Sequence, residues 1–173
     1  MAMMSNFEVK ERDWRSLALL TLGFWLSGSL LLDLVVMPVL YTTGMMSDAN
    51  FATTGYTLFN VFNHIEVFCA ALVLTIVLGF RHHHTQMAAS VTRRENWSVS
   101  LAIGLLAVAL LLTYLLTPQM GALGVQLNLF QPVTETPAGM NQLHGIYWTL
   151  EALKLVAGGM LLGFLYRHDR PTA

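Results

Sequence analysis

The stretch Leu143 to Lys154, LHGIYWTLEALK, decides how the whole chain is read. It opens the last long apolar segment and carries His144, Glu151 and Lys154, groups that a lipid-facing helix avoids. At about 100° per residue, His144, Trp148 and Glu151 fall on one narrow stripe, with Tyr147 and Lys154 at its edge. Such a stripe must face protein or water, so this helix belongs in a bundle.

Composition points the same way. Of 173 residues, 55% are hydrophobic and 11% charged, with a mean hydropathy of +0.57. Soluble domains carry about 25% charged residues, so the balance is that of a membrane protein. The length suits a single membrane domain spanning residues 1–173. A net charge of -1 gives no reason to expect nucleic acid as a partner. The lone cysteine, Cys69, sits in an apolar run and has no second cysteine to pair with. The polar N-terminal stretch lacks the short apolar core of a cleavable signal peptide, and the first apolar run reads as a retained helix that also directs insertion.

Four spans are expected, over residues 16–40, 57–80, 97–117 and 143–166. In the first, Gly23, Ser27 and Gly28 offer close-packing positions, Asp33 lies near the far end, and Pro38 bends or ends the helix. The second holds Asn60, Asn63, His64 and Glu66 in its first third. These cover an arc of about 160°, too wide for one hydrogen bond to one neighbour, and imply a polar cluster. The third is apolar until Thr113 and Tyr114, and Pro118 marks its boundary. The following QMGALGVQLNLF either extends it or lies in the interface, before Pro132 and Pro137 break the chain. The fourth has Gly158, Gly159 and Gly163 for close approach.

Charge asymmetry gives an orientation. Lys10, Arg12, Arg15, Arg81, Arg93, Arg94, Arg167 and Arg170 all fall in the two tails or the middle loop. The positive-inside rule then places both termini and that loop in the cytoplasm. Trp14 and Trp97 suit one interfacial belt, Tyr41 and Tyr56 the other. The run His82-His83-His84 reads as a solvated loop, because consecutive residues do not converge on one ion.

On this orientation Asp33, Asn60, Asn63, His64, Glu66, Tyr114, His144 and Glu151 share the outer half of the bilayer, with Lys154 near the middle. Helix-packing groups would scatter over both halves, so a shared cavity, opening outward or buried just below the outer surface, explains the pattern of this polar cluster better. Glu151 and Lys154 can pair at i,i+3, leaving Asp33 and Glu66 to be matched by His64, His144, a proton or a cation. His64 and His144, on separate helices, are the minimum for bis-imidazole haem ligation or part of a metal site. No haem-attachment, Walker, Rossmann, zinc-protease or GxSxG motif is present, so nothing in the chain argues for an enzyme.

LFNVFNHIEV in the second span, YLLTPQMGAL ending the third and NQLHGIYWTL opening the fourth resemble bacterial relatives of the transmembrane protein 205 family. That is a four-span membrane family long catalogued as a domain of unknown function. The resemblance includes Leu58-Phe59 followed by His64, and the pair His144-Gly145. It implies a four-helix membrane domain and little about activity. More distantly, the layout is similar to copper-resistance membrane proteins and to bacterial haem-associated protoporphyrinogen oxidase. The first span here has no histidine, so that oxidase activity does not transfer.

The expected architecture is an all-α, four-span bundle with both termini inside. The leading functional reading is an accessory or structural subunit, in a larger membrane complex or a homo-oligomer, whose polar cluster locks helices together. Its alternatives are a haem, tetrapyrrole or metal binder using His64 and His144, and a proton- or cation-coupled transporter using Asp33, Glu66, Glu151 and Lys154.

Overall fold

The computed structural model describes residues 2–43, 51–86, 93–130 and 139–167. All of its regular elements are helical. Helix α1 (Ala2–Leu31) runs through a π-helical turn (Leu32–Val36) into α2 (Met37–Thr42). Helix α3 covers Phe51–Gln86; α4 (Arg93–Leu111) passes through a second π turn (Leu112–Leu116) into α5 (Thr117–Phe130); and α6 covers Met140–Tyr166. Four helical rods are long and apolar enough to cross a membrane, over Arg12–Thr42, Thr53–His83, Arg93–Leu123 and Met140–Tyr166. This is the architecture of a multi-pass integral membrane protein.

The rods overrun the expected spans. Residues 51–56 and 81–86, read as loop from the sequence, are helical, as are 117–130 beyond Pro118. Neither proline ends its helix. Pro38 and Pro118 each follow a π turn by two residues, in the first turn of α2 and α5, where a missing N–H costs least. The two turns have the same backbone pattern. Met37 N–H bonds to Leu32 O and Thr117 N–H to Leu112 O, each five residues back. The carbonyls of Asp33 and Thr113 thereby lose both helical donors, one drawn a residue back and the other replaced by proline.

The rods close into a ring. Helix α1 packs against α3 and α6, and α4 packs against the same pair, so α3 and α6 face each other across the centre. Neighbours run antiparallel: the Arg15 guanidinium sits 5.9 Å from the Phe80 ring, near the start of one rod and the end of the next. At the same end of the bundle, Arg94 donates to the carbonyls of Phe164 and Gly163 and lies over the Phe164 ring. It thus places a cation on the C-terminal end of the α6 dipole.

The outer surface is apolar, with Leu20, Phe24, Leu34, Phe68 and Val156 all exposed, as suits a lipid solvent. Inside, Ala18, Leu22, Trp25, Val73, Ala102, Leu105, Leu161 and others form the larger apolar core, in the half that ends at Arg15 and Arg94. A smaller cluster of Val108, Leu112, Leu116 and Tyr147 lies toward the other end. Close packing falls on fewer glycines than expected. A Cβ on Gly158 would meet Leu26 Cδ2 at 2.7 Å, and one on Gly28 would meet Phe62 at 3.2 Å. By contrast, Gly23, Gly159 and Gly163 have open space beside them, and Ser27 bonds only its own helix.

Candidate functional site

The inward stripe of α6 is Tyr147, Glu151, Lys154, Gly158, Leu161 and Leu165, spaced alternately by four and three residues. That spacing keeps one face turned to the bundle along the whole helix. The stripe is therefore turned from the expected His144–Trp148–Glu151 line toward Tyr147 and Lys154, keeping Glu151 inside, and His144 and Trp148 stand on the exposed side. The lower apolar residues fix this rotation: Leu161 and Leu165 are core, and Glu151 and Lys154 follow them inside.

Lys154 is 1% exposed, and its ammonium occupies the middle of the ring. Nζ straddles the Glu151 carboxylate, 2.7 Å from each oxygen. It also donates to Glu66 Oε1 at 2.5 Å, across the bundle from α6 to α3. Ser29 of α1 donates to the same Glu66 oxygen at 2.7 Å. The side chains of Asp33 and Tyr147 lie beside Glu151, so the first π turn closes the cluster. Burial is nearly complete: Asp33 is 4% exposed, Glu66 1% and Glu151 2%. The sequence pairs Glu151 with Lys154 and leaves Glu66 to the histidines, a proton or a cation. The structure gives both acids to the one lysine, which no spacing argument along a single helix could show.

A second polar network faces α4 and α5. Asn63, 0% exposed, donates from Nδ2 to Thr117 Oγ1 at 2.7 Å. Thr113 Oγ1 donates to Ala109 O at 2.7 Å and lies 3.3 Å from the Asn63 carbonyl oxygen. Helix α3 thus holds Asn63 toward one neighbour and Glu66 toward the others, the division that its wide polar arc required. Three buried acceptors have no hydrogen-bond partner among the described residues, Asn63 Oδ1, Glu66 Oε2 and Glu151 Oε2, the last being ion-paired with Lys154. One buried donor, Trp25 Nε1, is in the same state.

The histidines lie elsewhere. His64 is exposed, with Nδ1 2.6 Å from the Asn60 carbonyl oxygen of its own helix and its ring edge-on to exposed Tyr114 at 5.8 Å. It lines an open groove of about 530 Å³ with Asn60, Val61, Ile65 and Phe68 on the outer face of α3. His144 is also exposed, its Nδ1 3.0 Å from the Met140 carbonyl oxygen. Asn60 is half-buried beside the groove. Among the described residues, no three His, Cys, Asp or Glu side chains are grouped to hold a metal ion. His82 and His83 lie at the end of α3, and the side chain of His84 is outside the described residues.

Sequence reasoning did not single out Ser29, Thr117, Tyr147 or Trp25 as site residues. Ser29 had one usable signal: it is four residues before Asp33, on the same face of one helix. No known family model, curated protein or solved structure matches the chain.

Proposed function

We propose that this chain is a proton-coupled transporter of the membrane, with both termini cytoplasmic, in which Asp33, Glu66 and Glu151 exchange a proton around Lys154. The observation that supports this reading is the imbalance at the bundle centre, where three buried carboxyl groups share one ammonium. A structural clamp needs one acid for one amine. Each further carboxylate held in low dielectric costs several kcal/mol, and binding a proton removes that cost directly. Ionisable groups inside a membrane bundle mark proton and ion paths more often than packing. The absence of Lys and Arg from the first and third loops supports the orientation.

The test is proton flux into liposomes containing the purified protein and an enclosed pH dye, under an imposed potential. Flux above that of empty liposomes is expected, and Glu151→Gln and Glu66→Gln are expected to abolish it. Wild-type flux equal to the empty control overturns the reading. A second reading, an accessory subunit that uses the cluster only to lock helices, draws on the way it ties α1, α3 and α6 together. It predicts that Glu151→Gln lowers the melting temperature while any flux is unchanged.

A further inference from the structure

The acid cluster is sealed from both apolar cores, so a proton needs a polar way in. Helix α3 offers one. Asn63 and Glu66 are three residues apart, which puts their Cβ atoms about 5–6 Å from each other. Both are almost wholly buried, at 0% and 1% exposure, and each holds one oxygen with no partner among the described residues. Leaving a buried acceptor unpaired is costly, and buried polar atoms in native proteins are nearly always satisfied by protein or internal water. Lys154 makes its hydrogen bonds to Glu66 Oε1 and Glu151 Oε1 and gives none to these two oxygens.

We infer that an internal water site joins Asn63 to Glu66, and that it is the proton route into the cluster. Water has two O–H donors, enough for the two of these acceptors that α3 holds three residues apart, Asn63 Oδ1 and Glu66 Oε2. From Asn63 the polar wall continues to the Thr117 hydroxyl, which accepts from its side-chain amide at 2.7 Å, and to the Thr113 hydroxyl beside its backbone carbonyl. The Thr113 carbonyl, stripped of helical donors by the π turn and Pro118, supplies a further acceptor on this wall. In the step itself, an excess proton arriving as hydronium on the Thr117 side binds the site water as that water passes one of its own protons to Glu66 Oε2. Two O–H bonds break, on the hydronium and on the site water, and two form, on the site water and on Glu66; Asn63 holds the site water and Thr117 holds Asn63, with no bond of theirs changed. The titratable groups facing the site are Asp33 from the first π turn, Glu66 and Cys69 from α3, and Tyr147, Glu151 and Lys154 from α6. From α4, the second π turn and α5, only uncharged Thr113 and Thr117 reach Asn63.

The inference rests on the proton-exchange reading, and the experiment separates the two. Infrared difference spectroscopy of the full-length protein in membranes follows the protonated-carboxyl band and its shift in heavy water. The wild type is expected to show the band and to exchange it quickly. Asn63→Leu, close in volume and without an amide, is expected to keep the band and slow its exchange about tenfold, the equivalent of one hydrogen bond lost in a dry site. Asn63→Ser, which leaves room for a water and keeps a hydroxyl, is expected to exchange nearly as the wild type does. Unchanged exchange in folded Asn63→Leu overturns the water route while proton exchange at the acids stands. If the wild type shows no such band, the proton reading fails. The water site is then decided by magnetisation transfer from water to the Asn63 side-chain amide in solid-state NMR, where a missing cross-peak overturns it.

Discussion

The π turns at Leu32–Val36 and Leu112–Leu116 are the same local device set to different chemistry. Each precedes a proline by two residues, each frees the carbonyl of its second residue, and each buries that residue's side chain inside the bundle. In the first that residue is Asp33, beside the acid–lysine cluster; in the second it is Thr113, beside the Asn63 backbone carbonyl. One turn thus serves a charged layer and the other a neutral relay. The backbone irregularity brings polar atoms inward, and the side chain decides whether they carry charge.

The largest break in this comparison should come from the charged side. Lys154→Met leaves two carboxylates facing each other without their cation, and is expected to destabilise the protein by about 3–5 kcal/mol. Thermal unfolding in mild detergent measures this, and adding Glu66→Gln and Glu151→Gln to the same chain should recover much of the loss. A triple variant no more stable than Lys154→Met would show that the lysine acts through packing alone.

A smaller contrast separates the two turns themselves. Thr113→Val removes one hydroxyl from the neutral network and is expected to cost about 0.5–1.5 kcal/mol. Asp33→Asn keeps hydrogen-bonding capacity and removes a surplus acid, so its unfolding temperature should equal or exceed that of the wild type. If Asp33→Asn is the more damaging of the two, the first turn is not a surplus-charge site. Pro38→Ala and Pro118→Ala restore an N–H and should each change stability by under about 1 kcal/mol. Pro38→Ala should nonetheless reduce proton flux by moving Asp33, while an equal flux would mean that the turn's geometry does not matter. The smallest effect is expected on the outer face: His64→Ala and His144→Ala should each stay within about 0.5 kcal/mol of the wild type. The purified protein should show no Soret band in either form, and a band lost in one of them would return the site to the histidines.

Much of the fold was legible in the sequence, because span number and helix type follow from apolar length. Helix ends were less so. Proline at Pro38 and Pro118 reads as a stop, yet a π turn before each absorbs the steric conflict and lets the rod continue. The polar residues of α3 were read as a group, but the group divides into buried Asn63 and Glu66 and exposed His64. Which way each faces depends on the rotation of the helix, and that is set by its apolar residues two and three turns away. The partnership of Glu66 with Lys154 joins residues 88 positions apart and has no signature in local spacing.

The position of Lys154 also bears on how such a chain is made. Of the four rods, Met140–Tyr166 has the lowest hydropathy, 1.4 against 1.9 to 2.5 for the others. Lysine and acidic residues at the centre of a nascent helix each oppose its partition into lipid by about 2.5–3.5 kcal/mol. Pairing within the helix, Glu151 to Lys154, lightens that burden before any neighbour is met. The bond to Glu66 becomes available only once α3 is already in the bilayer. The fourth rod is thus the one most dependent on those made before it, since the partner that completes its salt bridge comes from α3.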